Sequence, residues 1–493
     1  MDLSQVGQRN YAYSSAELHI IRQACVAAEK TILHTQDEIA KLGREEEELI
    51  EKVRRYRVAL APHNRLPVDV LRFIFKLCCL EPARIPATMR GVYAISRVCS
   101  TWRRIALAAP ELWDQITINL SAQNGRKIRT AREWLSRACK LPCSLTLHFE
   151  EHLTVCDAWG LNVVLNLVAH YPIRHLTLDL RPEQLQLLAK LPHSWFNHPE
   201  NIEIQCSDTD VSLTGTLIPP DVTLAKLKSL DLTGDWDYCD LVFSVPWTQL
   251  RYLHLEISVL ISQCLVMLRQ CTNVEDCLVM VIPDDPDAEL QSITETIRME
   301  KVVHLTLYFD TEDGPHVETV IRLLALPNIK ALKLRWDPGS RLLLNTDTVQ
   351  QLIQRSDGAP NLRLVDICCT TSPLDLGVLL PYMKQLKHLN IVNGDLDYDT
   401  MYELSMGKLG KRLELLQTAS RHDAEQVLRM VALRQQNASM GYPSLGRFNN
   451  VFARFKCVES HCFSVSKKRE AELNARREAL ERSSKDLAVT LTF

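Results

Sequence analysis

The reading of the fold turns on LKSLDL (227–232), LRYLHL (250–255), VEDCLV (274–279), VVHLTL (302–307), IKALKL (329–334), LRLVDI (362–367) and LKHLNI (386–391). Each places apolar residues at its first, fourth and sixth positions. Toward the N-terminus the pattern returns in NIEI (201–204), IRHLTL (173–178) and CSLTLHF (143–149). The central residues are Leu145, Leu176, Ile202, Leu230, Leu253, Cys277, Leu305, Leu332, Val365 and Leu389, spaced by 31, 26, 28, 23, 24, 28, 27, 33 and 24 residues. Apolar alternation with period two is the signature of a strand with one buried face. One strand every 23–33 residues cannot bury that face alone, so neighbouring repeats must stack. Helix-like stretches such as CDAWGLNVVLNLVAHYP (156–172) and HVETVIRLLALP (316–327) fit the return segments.

The repeat resembles the leucine-rich family in a degenerate form. The resemblance implies an α/β solenoid over residues 119–400. No copy keeps the Asn or Cys that the family places just past the strand; Ser207, Asp235 and Gly394 stand there instead. An irregular, open solenoid is therefore expected. Residues alternating with the apolar ones line its concave sheet: His175, Asp179, Tyr252, His254, Glu256, His304, Tyr308, Lys333, Arg335, His388 and Asn390. Their mixed polar and aromatic character suits an unknown protein substrate.

Residues 1–61 read as an amphipathic helix and coiled coil. Positions 18, 21, 25, 28, 32, 35, 39, 42, 46, 49, 53, 56 and 60 alternate steps of three and four. They hold apolar residues except at Thr35 and Glu46, a heptad seam with the period of a left-handed supercoil. Ser14, Ser15 and Glu17 suggest a capped start, and Pro62 ends the pattern. The expectation is a homodimer or pairing with a partner helix. The competing reading is a helix folded back on its own chain.

Between them lies a short helical segment, residues 62–118, with LPVDVLRFIFKLCCL (66–80) and VCSTWRRIALAAPELW (98–113). Pro67 suits a helix start, and these helices are too short to stand alone. LPxxxLxxIF followed by VCxxWRxIAxxxPxLW resembles the F-box in its fungal variant. The stretch between the two parts is longer than in compact members and carries Pro82, Pro86 and Gly91. The resemblance implies docking on the Skp-family adaptor of a cullin–RING (SCF-type) ubiquitin ligase complex. Carried over, the adaptor-binding residues are Leu66, Pro67, Val70, Leu71, Ile74, Phe75, Val98, Cys99, Trp102 and Ile105. The repeat arc would then read the target protein.

Residues 401–493 read as a C-terminal helical cap, with a charged helix in SKKREAELNARREALERSSKDL (466–487).

The remaining features exclude rather than assign. With 57 Lys+Arg against 60 Asp+Glu, the net charge of −3 offers no global field for nucleic acid or an anionic membrane. No run of about 18 apolar residues occurs. The start, MDLSQVGQRNYAYSS, does not read as a secretory leader. The 16 cysteines therefore read as reduced thiols in a cytoplasmic or nuclear protein. No phosphate-cradling GxGxxG or GxxxxGK[ST] and no GxSxG elbow is present. His148, Glu151 and His152 spell H-x-x-E-H, but in a strand the two histidines stand about 13 Å apart by rise per residue. Cys457, His461 and Cys462 lack a second ligand pair. No catalytic residue, metal or cofactor is expected. The alternative to the ligase reading is an interaction scaffold built on the coiled coil and repeat surface. A metallohydrolase using the H-x-x-E-H residues ranks third.

Overall fold

The computed structural model describes residues 6, 12–79, 83–85, 91–120, 124–149, 170–179, 196–206, 224–237, 245–284, 295–309, 317–336, 344–368, 372–391, 393–420, 424–440, 447–448, 450–455, 467–484 and 487–492. They fall into two compact units, Met1–Leu77 and Cys78–Phe493. The division runs through the segment that the sequence reading took as one domain, 62–118.

The first unit is helical. Helix α1 spans Ser15–Leu60. Its start is the expected capping box: the Ser14 amide donates to Glu17 Oε2 at 2.9 Å, and the Glu17 amide donates to Ser14 Oγ at 3.4 Å. A short 3₁₀ turn, Pro62–Arg65, follows the break at Pro62, and α2 spans Val68–Cys78.

Among the described residues the second unit is built on a parallel sheet of 15 strands, hydrogen-bonded in chain order. They are β1 Ala83–Ile85, β2 Gln115–Leu120, β3 Cys143–Phe149, β4 Ile173–Asp179, β5 Asn201–Cys206, β6 Ser229–Asp237, β7 Tyr252–Leu260 and β8 Asp276–Ile282. After these come β9 His304–Phe309, β10 Ala331–Trp336, β11 Leu364–Ile367, β12 His388–Ile391, β13 Leu415–Ser420, β14 Asn450–Phe455 and β15 Ala488–Thr492. Parallel neighbours in sequential order require a return segment after every strand. Described returns include α5 Asn124–Ala138, α6 Ile261–Gln270, α7 Val317–Leu323, α8 Thr346–Arg355, α9 Leu376–Leu379, α10 Tyr398–Ser405, α11 Ala424–Ser439 and α12 Lys467–Ser483. The stretch 156–172, read as a return helix, lies almost wholly outside the described residues.

The strand register confirms the repeat alignment. Leu145, Leu176, Ile202, Leu230, Leu253, Cys277, Leu305, Leu332, Val365 and Leu389 pair in one continuous row. The next inward row runs through Leu147, Leu178, Ile204, Leu232, Leu255, Val279, Leu307, Leu334, Ile367 and Ile391, and both rows are buried. This is a leucine-rich-repeat-like α/β solenoid.

Its limits differ from the expected 119–400. The sheet starts with β1 and β2 and runs on through β13–β15, so residues 401–493 extend the array rather than form a helical cap. The pattern was hidden because polar or small residues take inward places there. Thr418 occupies the place of a leucine in β13, buried, its hydroxyl donating to Gly394 O at 3.2 Å. Ala453 takes the matching register in β14. The charged helix α12 is a return segment that buries Leu473 and packs against α11 and β15.

Fully buried Arg434 of α11 closes this region. Its guanidinium donates to the carbonyls of Leu404 (2.8 Å), Gly410 (2.6 Å), Lys411 (3.3 Å) and Leu413 (3.2 Å), and it sits 4.4 Å over the Phe448 ring. Those carbonyls belong to the last turn of α10 and to its connection to β13, where Gly407 and Gly410 take positive φ. Burial pushes the guanidinium down to about 10, still protonated at neutral pH.

Candidate functional site

Two surfaces answer to the sequence reading. The first is on α2. Val70, Phe73 and Leu77 fall within about 60° of one another at 100° per residue, and Leu66 lies just before the helix start. Leu66, Val70, Phe73 and Leu77 are 37%, 42%, 63% and 53% exposed. Leu71 and Phe75 lie on the opposite side and are buried, while Ile74 is half-buried between the faces and Pro67 is exposed. The structure therefore divides the predicted docking set. Leu71 and Phe75 are core residues with no surface to offer a partner, which corrects their assignment as adaptor contacts. Phe73, absent from that set, is the most exposed aromatic of the stripe. Its signal was present in the sequence as spacing of three and four from Val70 and Leu77.

The other predicted docking residues sit in the second unit, on α3 (Val92–Val98) and α4 (Ser100–Leu107). Val98 is exposed; Cys99 and Trp102 are half-buried. Cys99 caps α4, its sulfur accepting from the Trp102 amide at 3.4 Å. Ile105 is buried, a second correction. Trp113 of the resemblance is also core: its indole donates to Ala106 O at 2.8 Å, its ring meets Trp134 edge-on at 4.5 Å, and Arg137 caps it at 4.5 Å. The end of the F-box-like string thus anchors the first turn of the solenoid.

The second surface is the outward face of the sheet. All eleven predicted face residues take the places between the inward rows and none is buried. Across β6–β9 they interlock. His254 Nδ1 lies 3.5 Å from Asp231, its Nε2 lies 3.5 Å from Asp276, and His304 Nδ1 lies 3.2 Å from the other oxygen of Asp276. Hydrogen bonds to Asp231 and Asp276 hold the His254 imidazolium and push its pKa up to about 10. The same contact, with His304 on the other oxygen, holds the Asp276 carboxyl below its usual range. Farther along, Arg335 donates to Asp366 at 2.8 Å, and Asn390 donates to the other Asp366 oxygen at 2.7 Å. Tyr308 lies beside Arg335 at 3.5 Å, while Lys333 and the exposed Tyr252, Glu256 and His388 complete the row. Burial lowers the His175 pKa, with Arg174 adding to the effect. The sequence reading named the histidines and Arg335 but not their partners Asp231, Asp276 and Asp366. The first and third of these occupy the same outward place of the pattern and could have been found by it.

His148 of the H-x-x-E-H string lies in β3, 3.3 Å from Asp179 on the neighbouring strand. Glu151, His152, Cys457, His461 and Cys462 lie outside the described residues. Among the described residues no group of three or more His, Cys, Asp or Glu is placed to hold a metal ion. None of their helices is long and apolar enough to cross a membrane.

No family model matches the chain, and no curated protein does. Among solved structures, a similar chain occurs in the crystal structure of the mouse RP105/MD-1 complex. It is 11% identical with a TM-score of 0.27, over 76% of this chain and 69% of that one. The solenoid reading rests on the register rows and not on that likeness.

Proposed function

We propose that the chain is a protein-recognition subunit without covalent chemistry of its own, and specifically the substrate receptor of a cullin–RING ubiquitin ligase. The observation that carries the adaptor half is the stripe Leu66, Val70, Phe73 and Leu77. Three large apolar side chains kept on the surface of one short helix, with Leu66 just before it, are what a partner's pocket takes up as hot-spot anchors. Val98 and Trp102 add to the docking set through the F-box resemblance. The outward sheet face reads the target protein. Its ordered rows of histidine, carboxylate, arginine and tyrosine offer donors and acceptors already held in place. Bringing a target beside a ubiquitin-charged enzyme raises its effective concentration, which is the work assigned to the chain. The cytoplasm or nucleus is the proposed compartment.

A Skp-family adaptor captured by the full-length chain, and released by Val70→Asp with Phe73→Asp, is the result expected. Failure of a folded wild-type chain to bind the adaptor overturns the ligase reading and leaves the interaction scaffold, which the exposed seam of α1 also favours.

A further inference from the structure

The apolar seam of α1 lies on its surface. None of its 46 residues is buried, and Ile32, Ile39, Leu42, Leu49 and Tyr56 keep more than half of their surface. A solvated single helix has no use for such a stripe, and most helical stability comes from packing an apolar face. The seam places a positions at 18, 25, 32, 39, 46, 53 and 60, and d positions at 21, 28, 35, 42, 49 and 56. The flanking charges then decide what covers it and in which direction.

In a parallel pair of α1 helices each seam residue meets its own copy. Glu46 would face the partner's Glu46 inside the seam, and Lys52 would lie beside the partner's Arg57. Both contacts are repulsive, and the first is partly desolvated. An antiparallel pair sets a against d. One register layers Ile39 on the partner's Leu49, and Ile32 on the partner's Tyr56. Glu46 then meets the partner's Leu42, where its aliphatic stem can lie along the seam while the carboxylate reaches water. On one flank Glu38 falls beside the partner's Lys52, and on the other Glu29 falls beside the partner's Arg57. Two-fold symmetry makes each attraction twice. The one like-charged contact is Glu45 with the partner's Glu45 at the axis. Lys52 and Arg57 make no ion pair among the described residues, so both are free for these contacts.

We propose that α1 pairs with α1 of a second copy of this chain, antiparallel over residues 28–60, with Glu38 against Lys52 and Glu29 against Arg57 setting the register. The two Leu60 ends then stand about 50 Å apart by helical rise, so the two chains leave the pair at opposite ends. A parallel pair would release them side by side. The proposal does not depend on adaptor binding.

The test is sedimentation equilibrium of the full-length chain at low salt, as wild type, Glu38→Lys, Lys52→Glu and the double variant. Circular dichroism checks that each remains helical. Residues 38 and 52 lie about 21 Å apart along one helix, so they can meet only between copies. A dimeric wild type is expected, each single change weakening it roughly tenfold and the double change restoring it. A monomeric wild type at tens of micromolar overturns the proposal. So does Lys52→Glu tightening the dimer, since a parallel pair would gain from relief beside Arg57. So do losses that add in the double variant.

Discussion

Phe73→Ala and Phe75→Ala, two residues apart on α2, should give opposite results. Phe73 is 63% exposed and Phe75 is fully buried. Burying a phenylalanine side chain completely is worth about 1.5–3 kcal/mol. About two-thirds of that is still available at Phe73, so a partner that covers it gains about 1–2 kcal/mol. Phe73→Ala should therefore weaken adaptor binding by roughly 5–30-fold. Its effect on stability should stay within about 0.5 kcal/mol, as for an exposed site. Phe75→Ala removes a packed ring and should cost about 3–5 kcal/mol of stability through lost contacts and a cavity. Any loss of binding in that variant should follow the unfolded fraction. Calorimetric titration of the full-length chain with a purified Skp-family adaptor, beside thermal melts of each variant, separates the two. Wild-type binding with an unchanged Kd in Phe73→Ala would refute the stripe as the docking surface. An unchanged Tm in Phe75→Ala would refute the assignment of faces on α2.

Four further outcomes follow, three from the second unit and one from α1. Arg434→Met keeps volume but leaves the Leu404, Gly410 and Leu413 carbonyls without their guanidinium donor; it should lower stability by about 3 kcal/mol, read as a shift in urea midpoint. The pKa of His254 is raised to about 10 by hydrogen bonds to Asp231 and Asp276. Its stabilisation is thus complete below the unfolded value of about 6.5 and lost as pH rises toward 10. Tm should fall across that window, and less steeply in His254→Gln. A Cβ at Gly394 would stand 2.5 Å from Thr418 Oγ1 and 3.2 Å from Ile391 O. Gly394→Ala should therefore destabilise by about 1–3 kcal/mol in chemical denaturation. Gly43→Ala, with nothing within 4 Å, should instead stabilise α1 by about 0.5–1 kcal/mol.

The strand alternation was legible because a parallel repeat sheet imposes the same demand on every copy. The central residue of each strand, from Leu145 to Leu389, must be apolar to meet its neighbour, so ten positions carry the register in the sequence itself. The outward places of His254, Arg335 and Asn390 followed from the same period of two. The capped start of α1 and its end at Pro62 were equally local, set by side chains within a turn of the backbone they satisfy.

Tertiary structure alone decided the rest. The predicted docking set took Val70, Leu71, Ile74 and Phe75 together and passed over Phe73, because α2 is apolar on more than one side. Spacing does not say which side is buried; the structure buries Leu71 and Phe75. The last three strands were invisible because a buried hydroxyl, such as that of Thr418 bonded to Gly394 O, can take a leucine's place once its partner is supplied from 24 residues away. The charge of His254 has the same origin: its carboxylates come from two neighbouring strands, and only the sheet brings them within hydrogen-bond reach.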